Sequence, residues 1–213
     1  QDRLGLGWGN HDHHAYRSSR ENYNLLIEIF ETMGFEAREQ FFAGKQGGWG
    51  AQVLEHPICG ITIFADVDIT EKERDYDFAH EEMTECKDIG TVGLWVSLHG
   101  ESILQGGMHH LAARVDFSHA EAGLMNHGVM RMRPFSDFKF LKQAFVESER
   151  RPVQLTRLRN TVDSGHIRPE RQGFFEQIGA IGSHLELIER RQGFKGFNQN
   201  SVSVIIHATD PRI

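Results

Sequence analysis

Three of the chain's 13 histidines fall within His11-Asp12-His13-His14-Ala15-Tyr16-Arg17. Imidazoles ligate metals and guanidinium groups hold carboxylates through paired hydrogen bonds, so the segment carries the parts of a metal-and-anion pocket. Read as a strand, its side chains alternate. His13, Ala15 and Arg17 then share one face, while Asp12, His14 and Tyr16 share the other. A second histidine-bearing segment, Met108-His109-His110-Leu111-Ala112-Ala113-Arg114-Val115, repeats the spacing, with Arg114 four residues after His110 as Arg17 is after His13. The third signal is Glu186 in His184-Leu185-Glu186-Leu187-Ile188. An ionised carboxylate among such neighbours is costly to bury unless something pairs with it, and Glu189 has the opposite strand parity. Two imidazoles and one carboxylate, from His13, His110 and Glu186, make a facial triad that leaves positions open on an octahedral metal. Asp66 and Asp68 are rival carboxylates that also read as a strand end entering an acidic loop. A metal held by His11, His13 and His14 alone is a further alternative.

These residues need rigid elements to bring them together. Ser18 and Glu21 have the spacing of a capping box, followed by Tyr23, Leu26, Ile27, Phe30 and Met33 at helical intervals and Gly34 as a left-handed cap. Strands follow at 35–42, 51–55 and 60–68. Between the first two, Gly44, Gly47, Gly48 and Gly50 mark a turn around Trp49 rather than a phosphate loop, because no Gly-Lys-Ser/Thr ending opens a helix. The first third thus reads β-α-β-β-β, with its helix laid across a small curved sheet. The acidic stretch Glu71 to Asp88 reads as a surface helix or linker. A second unit opens near Leu94-Trp95-Val96-Ser97-Leu98 and continues through the His110 strand to a short helix over Ser118 to His127. Beyond it, the spacing of Phe138, Leu141, Phe145 and Val146 predicts a helix within 135–149, and 153–158, 174–181, 184–188 and 201–207 read as strands. We expect a single α+β domain over 1–213, built from a first module at 11–70, a connection at 71–93, and a second module at 94–213 with an insertion at 128–172.

Composition narrows the class. The 213 residues are 39% hydrophobic and 25% charged, which fits a folded chain, and no apolar run approaches the ~20 residues of a membrane span. A net charge of -7 argues against a nucleic-acid surface. Cys59 and Cys86 stand far apart with no CxxC, so neither a disulfide framework nor a thiolate zinc site is indicated and a reducing cytoplasm is expected. The sequence begins at Gln1, and its opening residues lack the charged start and apolar core of a secretory signal.

On Asp12-His13-His14-Ala15-Tyr16-Arg17, His109-His110-Leu111-Ala112-Ala113-Arg114-Val115 and Leu185-Glu186-Leu187, the chain resembles the vicinal oxygen chelate superfamily of paired βαβββ modules. Within it, the likeness is to the 2-oxoadipate dioxygenase/decarboxylase (2-hydroxyglutarate synthase) family. The segments Glu71 to Asp88 and Phe135 to Arg171 have no counterpart there. The resemblance implies a curved or barrel-like mixed sheet with helices outside. It also implies iron(II) held by His13, His110 and Glu186, with Arg17 as the catalytic residue that grips a substrate carboxylate. The implied reaction is oxidative decarboxylation of a 2-oxoadipate-like 2-oxo acid by O2, giving a 2-hydroxy acid. A redox-silent glyoxalase-like lyase or isomerase using zinc, nickel or manganese is the alternative within the fold, extradiol ring cleavage is another, and a metal-free small-ligand binding module lies outside enzymology. With two modules in one chain, the site is expected within a monomer, whatever homodimer surrounds it.

Overall fold

A computed structural model describes residues 8–43 and 47–212. The first run of elements is β1 (Gly9–Arg17), α1 (Tyr23–Thr32), β2 (Glu36–Phe42), β3 (Trp49–Glu55) and β4 (Thr62–Asp68). After a short 3-10 turn at Glu71–Glu73 come α2 (Thr91–His99) and a π-helical turn at Ser102–Gly106. The remaining elements are β5 (His110–Val115), α3 (Phe117–Asn126), β6 (Ser136–Phe138), β7 (Leu141–Phe145), β8 (Glu149–Arg151), α4 (Leu155–Asp163), α5 (Gln172–Ile178), β9 (Ala180–Arg190) and α6 (Gln199–Ala208).

The strands form one mixed sheet in the order β2-β3-β4-β1-β5-β9-β7-β6, with β8 pairing along β9 off this path. In the first half β1 runs parallel to β4, and in the second β5 runs parallel to β9. β5-α3-β6-β7-β9 therefore repeats the connectivity and strand order of β1-α1-β2-β3-β4, with β8, α4 and α5 inserted before its last strand. The antiparallel pair β1–β5 joins the halves into a curved, open sheet. This is the expected α+β architecture of paired βαβββ units.

Strand alternation sorts side chains into two layers. Ile63, Ala65 and Val67 of β4 pack with Tyr23, Leu26, Ile27 and Phe30 of α1, while Leu187 of β9 packs with Phe117 of α3 and Ala144. The intervening positions, Phe64, Asp66 and Glu186, face a cavity on the opposite side of the sheet. Helix α1 ends as expected: Gly34 has φ +93°, and the Gly34 and Phe35 amides donate to Glu31 and Phe30 carbonyls.

Several local expectations are corrected. The Ser18–Glu21 capping box does not form; Asn22 precedes α1, and Ser19 and Asn22 donate instead to the Glu101 carboxylate. The helix expected within 135–149 is the β6–β7 hairpin, because Phe138 pairs directly with Leu141 across a two-residue turn and so mimics helical spacing. Residues 153–158 lead into α4, 174–178 belong to α5, and 201–207 belong to α6, so the last element is a helix rather than a strand. Leu94–Leu98 lies within α2. Of the glycines in the turn before Trp49, Gly44 lies outside the described residues. Both cysteines are free, and among the described residues no helix is long and apolar enough to cross a membrane.

Asp68 explains how α2 begins. Its carboxylate accepts the amides of Gly90, Val92 and Gly93 at 2.7, 3.0 and 2.8 Å, satisfying orphan donors at the helix start. A Cβ on Gly93 would stand 2.5 Å from Asp68 Oδ2, so that close approach requires glycine.

Candidate metal centre

Sheet register assembles the centre. Phe145 lies opposite Glu186, Glu186 opposite Ala112, and Ala112 opposite His13, a single row across β7, β9, β5 and β1. The next row is Ala15, His110 and His184. Adjacent strands stand about 4.8 Å apart, so His13 and Glu186 begin roughly two strand spacings from one another and meet over the small Ala112 between them. His13 Nε2 stands 3.5 Å from Glu186 Oε2, and His110 Nε2 stands 3.0 Å from the same oxygen. Among the described residues, His13, His110 and Glu186 are the group whose ligand atoms converge closely enough to hold an ion, all within 4.8 Å.

The donor set suits a divalent metal. Glu186 is 1% exposed, and burial favours its neutral form. The His110 hydrogen bond, the two imidazoles and Gln143 outweigh burial and hold its pKa below the ordinary value, so the carboxylate is ionised. Burial pushes the His110 pKa down against the pull of Glu186, favouring the neutral, ligating imidazole. Glu186 Oε1 and His110 Nδ1 are buried without hydrogen-bond partners, and an orphaned carboxylate oxygen at such a convergence is what a cation would satisfy.

Parity alone places Asp12 on the other face, but a bulge between His11 and His13 turns its side chain into the centre's support. Asp12 Oδ2 bonds His13 Nδ1 at 2.8 Å, leaving Nε2 to face the cluster. Arg190 and Arg114 hold the carboxylate from behind at 3.1 and 2.9 Å. Burial opposes ionisation of Asp12, yet the His13 and Arg190 hydrogen bonds prevail and carry its pKa far below the carboxylate range. Arg114, which matched Arg17 in sequence spacing, therefore pairs with Asp12 rather than mirroring an anion clamp. Because partners of this kind fix ring orientation and basicity, Asp12→Ala is expected to weaken metal binding by about 10–100-fold, measured by competition with a chromophoric chelator. Ala112→Leu should also lower affinity, because the added side chain occupies the space over which His13 and Glu186 converge; the same titration reads it.

A cavity of about 540 Å³, counting its open mouth, extends from this cluster. His109 and His184 line it beside the ligands, their Nε2 atoms sharing a 3.2 Å hydrogen bond, and His184 Nδ1 bonds Ser148 Oγ at 2.8 Å. Burial drives both pKa values well down, so this pair is neutral. Neither was singled out from sequence, although each shares a segment with a candidate ligand.

The other sequence candidates sort cleanly. Arg17 is 3% exposed, stands 5.8 Å from the Trp95 ring, and has no hydrogen-bond partner for Nε or Nη2. Burial lowers its pKa to about 10, against the pull of Asp66, Asp68 and Asp210, so it remains a cation. It shares the His13 face but stands behind the cavity wall. Asp66, its neighbour in register, is on the wall, where burial raises its pKa to about 7. Asp68 is committed to α2. His11 is exposed and bonded to half-buried His14 at 2.7 Å, away from the cluster. Glu189 binds the Phe117 amide and Arg191.

No protein-family model matches the chain, and no curated protein matches it. Among solved structures it is similar to a triple mutant of 4-hydroxymandelate synthase from Streptomyces coelicolor, with 15% identity, 95% of this chain and 54% of that one covered, and a TM-score of 0.57. The chain thus spans about half the length of the synthase. It is also similar to methylmalonyl-CoA epimerase from Mycobacterium tuberculosis, with 15% identity, 87% and 89% coverage, and a TM-score of 0.45. At such identity the likeness to the synthase is one of fold, and it agrees with the strand order described above: the chain has a vicinal oxygen chelate-like fold.

Proposed function

We propose that this protein is an iron(II)-dependent dioxygenase that converts a 2-oxo acid, with one O2, into CO2 and a 2-hydroxy acid one carbon shorter. The observation that carries the reading is the convergence of His13, His110 and Glu186 at one buried point within a single chain. Two imidazoles and one carboxylate leave room on an octahedral metal for a bidentate 2-oxo acid and dioxygen. The shared fold of a synthase of 4-hydroxymandelate, itself a 2-hydroxy acid, is consistent with that product class.

Iron(II) held there would supply the redox chemistry that joins dioxygen to the substrate. The chain's own residues do the rest. Asp12 fixes the His13 ring, and Phe64 and Phe145 pack against His13 and His110 at ring-centroid distances of 4.9 and 5.3 Å, shielding the ligands from water. Arg17, behind the wall beside Asp66, keeps two buried guanidinium nitrogens unpartnered, and these would grip the substrate carboxylate once the side chain reaches past the wall.

The test is oxygen uptake by anaerobically purified, iron-loaded protein presented with 2-oxo acids, with CO2 trapped in parallel. Equal consumption of O2 and release of CO2, both absent in His110→Ala, is the expected result. Turnover with zinc, nickel or manganese that ignores oxygen would replace this reading with a redox-silent lyase or isomerase. Ligand binding that survives chelation, without turnover, would assign a binding module.

A further inference from the structure

We propose that the substrate carries a neutral, apolar tail rather than a second carboxylate, an inference that rests on the 2-oxo acid reading for its head group alone. The end of the cavity away from the metal ligands is aromatic and aliphatic. The path is continuous: the Phe64 ring lies 4.9 Å from His13, the Phe197 ring 6.0 Å from Phe64, the Phe41 ring 5.0 Å from Phe197, and the Trp49 ring 5.3 Å from Phe41. Val202 and Ile206, one turn apart on α6, complete the wall. A tail leaving the metal beside His13 therefore meets apolar surface along this path.

Charge points the same way. No lysine or arginine lines the cavity among the described residues, and the ionisable group in the wall outside the histidines and Glu186 is an acid, Asp66. Arg17, the single cation on the His13 strand face, stands behind the wall and is not part of the aromatic path. A second carboxylate would enter the aromatic end unpaired and near Asp66, at a desolvation cost its methylenes do not recover. Trp49 Nε1 is buried there without a partner, but a lone neutral donor does not offset the burial of a full charge.

Calorimetric titration of the metal-loaded protein under anaerobic conditions tests this with two matched pairs, 2-oxohexanoate against 2-oxoadipate and hexanoate against adipate. The neutral member should bind at least about tenfold more tightly in each pair, since one unpaired buried charge exceeds the ~1.4 kcal/mol that a factor of ten represents. Val202→Lys, checked for folding by thermal melting, should shrink or reverse that preference, with Phe41→Lys as a second variant. If the 2-oxo compounds bind no better than the plain acids while the neutral members still win, the 2-oxo acid reading fails and the tail assignment stands. Equal or tighter binding of the dicarboxylate in either pair, no binding by either neutral acid, or a preference unchanged in both lysine variants overturns the proposal.

Discussion

Glu186→Gln is expected to abolish metal-induced stabilisation while leaving the metal-free fold intact. The substitution preserves side-chain size and a group able to hydrogen-bond His110, but removes the buried negative charge toward which both imidazoles point. Metal affinity should fall by at least about 100-fold, beyond the 10–100-fold effect of losing a partner that only orients a ligand. At metal concentrations about 100 times the wild-type dissociation constant, bound metal adds roughly 2.7 kcal/mol to stability. That increment should disappear from denaturant melts of the variant. The metal-free protein should change little, because replacing a buried carboxylate by an isosteric amide also relieves its desolvation. A variant that melts early without metal would instead make Glu186 a structural residue.

Arg17→Met is expected to separate activity from stability. A buried guanidinium with Nε and Nη2 unpartnered has few hydrogen bonds to lose, and methionine fills a similar volume. Stability at neutral pH should stay within about 1 kcal/mol of wild type, read by urea denaturation. Substrate-dependent oxygen uptake should fall by at least about 100-fold in kcat/KM, because a fork of two hydrogen bonds to a carboxylate fixes orientation as well as affinity. Arg17→Lys should recover little, since an ammonium offers no planar pair of donors. Full activity in Arg17→Met would remove the residue from the substrate-binding machinery.

The centre was legible in sequence wherever strand alternation governs. His13, Ala15 and Arg17 do share a face, and Glu186 does point away from the side of the sheet taken by its neighbours Leu185 and Leu187, because a period of two fixes parity once the strand is recognised. The support for His13 was not legible. Asp12 has the wrong parity for an ideal strand, and the bulge that brings it round depends on pairing with β5, nearly 100 residues later. That Asp68 serves the start of α2, whose amides it accepts, was not legible either.

The misread elements share a cause: local pattern pointed one way and tertiary packing another. Phe138, Leu141 and Phe145 repeat at helical intervals because a tight hairpin brings alternate positions of two strands into the same spacing. Residues 201–206 look β-branched and alternating, yet they form α6. Asn198 caps that helix by accepting the Ser201 amide, and its own amide donates to Gln143 Oε1 at 3.0 Å, tethering α6 to β7. The Asn198 cap was the available signal, since asparagine three residues ahead of Ser201 is a helix start as readily as a loop. The helix bears on the cavity, because α6 supplies Val202 and Ile206 to its wall.

The most direct measurement is an anaerobic titration of iron(II) into chelator-stripped protein, comparing wild type with His13→Ala, His110→Ala and Glu186→Gln by equilibrium dialysis. One iron per chain in the wild type, lost in all three variants, is the predicted result. Failure of the wild type to bind iron, or binding that persists in any of the three, would contradict the assignment of these residues as the metal centre.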